Sequence, residues 1–170
     1  MEKNSSFVCS PERERSPKKT KELTHSTVLS QTSSACSLKL QIWDTAGQEK
    51  YKAIAKLYYR DCRVAILVYD VTSKSSFESL KNWHEELIKH APKNISNSIA
   101  MVVLYVVANK IDLLDLLIGK EEEQQVPYGE SAAFAKDINA KFYEVSAKTR
   151  KGVEELFRNI SESVGPLIYR

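Results

Sequence analysis

Four strand-like runs alternate with amphipathic stretches in this chain, and that alternation confines it to a small set of architectures. The runs are Leu38–Trp43, Val64–Tyr69, Ser98–Ala108 and Lys141–Val145. Most are rich in Val, Ile and Leu rather than alternating apolar with polar, the pattern of strands buried on both faces. Ile99 to Ala108 is the longest apolar stretch, and it is too short for a membrane helix, which needs roughly 20 residues. Between the runs lie helical patterns. Ser75-Ser76-Phe77-Glu78 reads as a capping box, followed by Phe77, Leu80, Trp83, Leu87 and Ile88 at near-helical spacing. Pro127 suits a first helical position, ahead of Ala133, Phe134 and Ile138. Val153, Leu156, Phe157, Ile160 and Val164 form a further stripe on one helical face. Strands alternating with helices predict an α/β fold: a mostly parallel sheet with helices on both faces.

Composition narrows the field further. A length of 170 residues suits one domain with a real core. A net charge of +3, with no long basic stripe, argues against nucleic acid as a partner. Cys9, Cys36 and Cys62 are odd in number and lack metal-ligand spacing, which fits a reducing, intracellular and cytosolic compartment. Residues 1–34 are rich in Ser, Thr, Lys, Arg and Glu, and their few apolar residues show no sustained period. Such a segment is expected to stay disordered, because it buries too little surface to offset chain entropy. The folded domain is therefore expected over residues 35–170.

Three short strings carry the chemistry: Trp43-Asp44-Thr45-Ala46-Gly47-Gln48-Glu49, Asn109-Lys110-Ile111-Asp112 and Ser146-Ala147-Lys148. Each lies at or just after the carboxyl end of a predicted strand, the edge where open α/β sheets bind ligands. A carboxylate at the first position, Asp44, can hold Mg²⁺ through water, since that ion gives up its waters reluctantly. Gly47 lets the backbone approach a ligand with no Cβ in the way.

In this order, the strings resemble the nucleotide site of a Ras-superfamily small GTPase. Lys50-Tyr51, Tyr58-Tyr59-Arg60 and Ile66-Leu67-Val68-Tyr69-Asp70-Val71-Thr72 look like the Rab branch. The resemblance covers about residues 38 to 164. It implies a P-loop NTPase-like fold, GTP or GDP as ligand with Mg²⁺, and a GTP/GDP switch in vesicle traffic on endomembranes, working with Rab-type effectors and regulators. By the same resemblance, Gln48 orients the attacking water and Asn109 braces the base. Lys110 lies along the base face, and the Ala147 N–H meets the guanine O6 within the Ser146-Ala147-Lys148 loop. Asp112 accepts the paired N1–H and amino donors of guanine, a pair that adenine lacks. Trp43 and Tyr58 match apolar surface positions that Rab proteins offer to effectors.

The sequence also departs from that pattern. No G-x-x-x-x-G-K-[ST] phosphate loop occurs in the 170 residues. In the family, the loop follows a central first strand, which lies between the strands ending here at Asp44 and Asp70. Phe7-Val8-Cys9 looks too short to replace that strand. The domain is thus expected to be incomplete at its N-terminus, with two open inner edges and weak or absent GTP turnover. Thr27-Val28-Leu29-Ser30-Gln31-Thr32 faintly resembles a Rab second strand. Leu113 to Val126 is a long, apolar connection. No cysteine lies beyond Cys62 to carry a prenyl group, so stable membrane anchoring is not expected. Three readings follow: a weak GTPase switch, a non-catalytic pseudo-GTPase binding module, or a truncated product of a normal Rab gene.

Overall fold

The computed structural model describes residues 6–11, 25–31, 37–45, 59, 62–91, 102–117 and 126–168. Six strands form one sheet: β1 (Ser6–Pro11), β2 (His25–Gln31), β3 (Ser37–Thr45), β4 (Val64–Asp70), β5 (Val103–Asn109) and β6 (Lys141–Glu144). Their order across the sheet is β2-β3-β1-β4-β5-β6. β4, β5 and β6 pair in parallel, while β1 is antiparallel to both β3 and β4, and β2 is antiparallel to β3. It follows that β3, β4, β5 and β6 all point one way, and their carboxyl ends share one edge.

Among the described residues, three α-helices flank the sheet: α1 (Lys74–His90), α2 (Tyr128–Asp137) and α3 (Val153–Ile168). The expected helix on each face is found. On one side Leu156, Ile160 and Val164 of α3 pack against Leu40, Ile42, Val64, Ile66, Tyr105 and Val107. Ile160 and Val164 are fully buried, each contributing about 1.5–3 kcal/mol relative to exposure. On the other side Phe77 and Leu80 of α1 and Ala135 of α2 meet Leu67, Tyr69 and Val106. Leu87, one α1 turn pair further on, joins Tyr59, Cys62, Ala65 and Leu104. The continuous runs of β4 and β5 are explained by this arrangement, since alternate residues serve opposite layers.

The start of α1 differs from the sequence expectation. Ser73 is the N-cap, and its Oγ accepts from the Ser76 N–H at 3.3 Å. Ser75, the cap that the capping box implied, lies within the helix, and Ser76 is buried: its hydroxyl donates to the Ser73 carbonyl at 2.8 Å and accepts from the Asp70 N–H at 2.9 Å. That stitching draws the helix start back toward the end of β4. Pro127 likewise sits one position earlier than expected, at the N-cap of α2, and there Ala133 is exposed while Ala135 is buried. The connection after β5 opens with a 3₁₀ helix, Ile111–Leu117, whose Ile111 and Leu114 pack against the α1/α2 layer; residues 118–125 lie outside the described set.

The N-terminal region requires the larger correction. Two strands, β1 and β2, fall inside the segment 1–34, which composition had marked as patternless. β1 occupies the inner position expected to be empty. It pairs with β3 from Ser6↔Thr45 to Pro11↔Leu40, and with β4 from Ser6↔Leu67 to Cys9↔Val64. Composition gauges what side chains can bury, but a strand between two others also satisfies two ladders of backbone groups. β2, overlapping the stretch that resembles a second strand, pairs with β3 over seven positions.

Candidate functional site

The carboxyl ends of β4, β5 and β6 meet at Asn109. Its backbone carbonyl accepts the Val71 N–H at 3.1 Å, which links it to the chain leaving β4. Its Oδ1 accepts two further backbone N–H groups, from Lys110 at 2.8 Å and from Ala147 at 3.0 Å. One side chain thus clamps the loop after β5 to the loop after β6. Val145 N–H to the Ala108 carbonyl at 2.8 Å, and Ile111 N–H to the Val145 carbonyl at 3.3 Å, complete the seam.

Lys110 follows with φ of 68°, the left-handed region that side chains with a Cβ seldom adopt. Such a conformation costs about 1 kcal/mol or more and persists only where contacts over-determine it. Three contacts do so here. The Lys110 N–H is held by Asn109, its carbonyl accepts the Leu113 N–H at 2.9 Å, and its ammonium is paired with the Asp70 carboxylate. Asp70 also accepts from the Thr72 N–H at 2.9 Å and the Thr72 hydroxyl at 2.7 Å, a turn typical of Asp-x-Thr. Burial alone would raise the Asp70 carboxyl. The Lys110 and Thr72 hydrogen bonds and the lysine charge outweigh it, and the group is held below the ordinary carboxylate range. Asp70 is therefore ionised at neutral pH, and Lys110 is committed to it.

Asp112 and Ser146 form the other half. The buried Ser146 hydroxyl donates to Asp112 Oδ1 at 2.6 Å and accepts from the Thr149 N–H at 3.1 Å. The same serine orients a carboxylate and caps the turn after β6. Asp112 Oδ2 has Lys148 Nζ at 4.0 Å. Asn109, Lys110, Asp112, Leu113, Ala147 and Lys148 line a cavity of about 300 Å³. Two of the three sequence strings therefore converge on one concave surface.

The Ala147 N–H is accepted by Asn109 Oδ1 and the Lys110 ammonium is paired with Asp70, while both residues line the cavity. From the first string, Asp44 lies at the end of β3 on the same sheet edge, two strands from β4 with β1 between them. Trp43 is half-buried and packs against the cluster containing Tyr59, Cys62 and Leu87. Gly47, Gln48 and Tyr58 lie outside the described residues. Among the described residues, no group of three or more His, Cys, Asp or Glu could hold a metal ion, and no helix is long and apolar enough to cross a membrane.

Sequence reasoning missed Asp70, Thr149 and Gly152 as parts of this site. Asp70 had a signal, since it ends a strand on the shared edge and begins an Asp-x-Thr turn. Gly152 precedes the apolar stripe of α3 and closes the Ser146 loop. Its φ is +74°, and a Cβ there would stand 2.5 Å from the Glu144 carbonyl oxygen. Gly152→Ala is expected to destabilise the domain by about 2 kcal/mol or more. Gly129→Ala, with nothing within 4 Å of its added Cβ, is expected to be neutral or stabilising by up to about 1 kcal/mol. Urea unfolding of both variants checks the pair. Equal effects would mean that the Gly152 conformation is not required.

Comparison with known proteins now bears on these features. The model of the Ras family matches residues 14–165. The GTP-binding protein ypt5 of Schizosaccharomyces pombe is 41% identical over 128 residues, which is 75% of this chain and 54% of that protein. The Ras-related protein Rab-31 of Rattus norvegicus is 40% identical over 129 residues, 76% of this chain and 59% of the relative. The Ras-related protein Rab-21 of Homo sapiens is 45% identical over 123 residues, 72% of this chain and 48% of the relative. The chain spans about half the length of the curated relatives it matches.

Proposed function

Because this chain belongs to the Ras family, as a Rab-like member, we propose that it binds a guanine nucleotide at the β5–β6 edge and serves intracellular vesicle traffic. The observation that carries this reading is the Asn109 clamp beside an oriented Asp112. Asn109 holds two loops in register, and Ser146 fixes one Asp112 oxygen so that the carboxylate keeps a defined direction toward the cavity. A carboxylate held there accepts two adjacent donors of one ring edge. Guanine offers that pair and adenine does not. Lys148, beside Asp112 and on the cavity wall, supplies an aliphatic stem for the base to rest on.

The remaining assignments are part of the same proposal. Asp44 would hold Mg²⁺ through water, Gly47 would let the backbone approach a phosphate, and Gln48 would orient the water for hydrolysis. Mg²⁺, where bound, would neutralise phosphate charge. Trp43 and Tyr58 would contribute to the surface met by effectors and regulators, at endomembranes. One observation favours a binding module without turnover over an active switch. The strand between β3 and β4 runs against its neighbours, so it brings its amino end, not a loop leaving its carboxyl end, to the ligand edge.

The test is a titration of the full chain with guanine and adenine nucleotides, beside Asp112→Asn. Guanine is expected to bind at least about tenfold better than adenine, with most of the difference gone in the variant. Single-turnover GTP hydrolysis should stay near background and be unmoved by Gln48→Leu. Equal binding of the two purines by the parent chain would refute the assignment of Asp112, and robust hydrolysis abolished by Gln48→Leu would refute the reading without turnover.

A further inference from the structure

Lys110 is part of the cavity lining, and the Asp70 that holds its ammonium is not. The lysine is therefore fixed at both ends of its side chain. At the backbone, φ is 68°, the N–H is accepted by Asn109 Oδ1 at 2.8 Å, and the carbonyl accepts the Leu113 N–H at 2.9 Å. At the tip, the ammonium donates to Asp70 Oδ2. Asp70 is itself fixed. Its Oδ1 accepts the Thr72 N–H and hydroxyl, and its own N–H is accepted by the Ser76 hydroxyl at 2.9 Å. An exposed ion pair between two mobile side chains contributes little, because ordering both offsets the attraction. Here the carboxylate is already ordered by its turn, so only the lysine stem loses freedom. The other lysine on the cavity wall is held differently: the Lys148 side chain is 81% exposed, and its Nζ lies 4.0 Å from Asp112 Oδ2.

We propose that Asp70 is a positioning residue of the guanine site: it holds the Lys110 stem as a fixed wall of the cavity, so that affinity for the base depends on an ion pair whose carboxylate lies outside the lining. The inference rests on the guanine reading above and adds what sets the strength of that site. A flat base covers methylene groups well, and a stem pinned at both ends has little rotamer freedom left to lose when the base arrives. Without the carboxylate the ammonium is released, the stem samples several rotamers, and binding must order it again. The left-handed Lys110 backbone also loses one of the three contacts that hold it. Asp70 ends β4 and opens the turn into α1, so a site built from the loops after β5 and β6 draws part of its strength from a third strand. The pair is open to solvent, with the Lys110 side chain 53% exposed, so dissolved ions weaken it.

Guanosine is the probe, because it carries the base and no charge. The full chain is titrated calorimetrically with guanosine and adenosine, beside Asp70→Asn, Lys110→Met and the double variant. Asparagine keeps an oxygen for the Thr72 donors, and methionine keeps an unbranched stem without the ammonium. Each single variant is expected to weaken guanosine binding about fivefold, and the double variant by about the same factor, since both changes remove one contact. Guanosine affinity of the parent chain should fall severalfold between low and high sodium chloride, while Asp70→Asn shows no such dependence. A residue that only supports the fold would not produce that salt signature. Urea unfolding establishes that each variant is folded, and Lys110→Met carries the test by itself if Asp70→Asn is not. Three results overturn the inference while a parent preference for guanosine over adenosine keeps the guanine reading: parent-like affinity in a folded single variant, a double variant weakened by the product of the two single effects, or a parent affinity that salt does not change. Guanosine and adenosine binding the parent alike, or no guanosine binding, overturns the guanine reading and the inference with it.

Discussion

Val8→Pro is expected to remove most of the stability of the domain, although Val8 lies in a segment of unpromising composition. Val8 is opposite Trp43 in β3 and Ala65 in β4, so it is flanked by a strand on each side. Proline there removes one ladder donor and drives its ring against a neighbouring strand, which is why proline is confined to sheet edges and bulges. The cost should match or exceed the roughly 3 kcal/mol that proline costs inside a helix. Against a total near 5–15 kcal/mol, a loss of that size unfolds a sizeable fraction of the chain. Hydrogen exchange by mass spectrometry gives the local readout. In the parent chain the amides of β3 and β4 should be among the best protected, because both strands have partners on two sides. In the variant their protection should collapse while α3 loses less. Unchanged midpoint and exchange would show that β1 does not hold the inner position in solution.

Why that strand was not legible in the sequence follows from what composition measures. Phe7-Val8-Cys9 supplies few apolar side chains, and Ser6, Ser10 and Pro11 resemble turn residues. What holds β1 is mainly its neighbours, which present two facing rows of backbone groups. That is a property of residues 37–45 and 64–70, distant in sequence from Val8. By contrast, β4, β5 and α3 were readable because their own side chains supply the driving force. The same division applies to the site. Asn109, Asp112 and Ser146 stood out as members of short strings at strand ends, and the structure brings them together. The Asp70–Lys110 pair was not foreseen, because it joins residues forty positions apart. Likewise, a sequence string cannot show that the Ala147 N–H is already accepted by a side chain.

These observations give the site a particular electrostatic character. Lys110 adopts a left-handed backbone and pairs with a carboxylate held ionised at neutral pH. Asp112, in turn, keeps one oxygen on Ser146 and turns the other toward Lys148. The cavity is thus preorganised by the Asn109 and Ser146 hydrogen bonds toward β6 and bounded by the Asp70–Lys110 ion pair toward β4. Preorganisation lowers the ordering cost of binding.

Asn109→Ala is expected to weaken binding of the proposed guanine ligand by undoing this arrangement from its centre. The substitution leaves the Lys110 and Ala147 N–H groups without their acceptor. Both residues are exposed, so water can replace part of the loss. The stability cost should be about 1–3 kcal/mol, not the full penalty of two buried orphan donors. Binding should suffer more, because the loops after β5 and β6 are no longer held in register and Asp112 and Ala147 belong to different loops. Guanosine affinity is expected to fall by more than about tenfold. Asn109→Asp separates the clamp from mere bulk. It keeps an oxygen facing both donors and should restore most of the stability, less some repulsion from the nearby Asp112 carboxylate. Paired urea unfolding and guanosine titration of the two variants make the comparison. If the alanine variant is as stable as the parent and binds equally well, Asn109 does not join the two loops. If the aspartate variant is as unstable as the alanine variant, acceptance of the two N–H groups is not what Asn109 contributes.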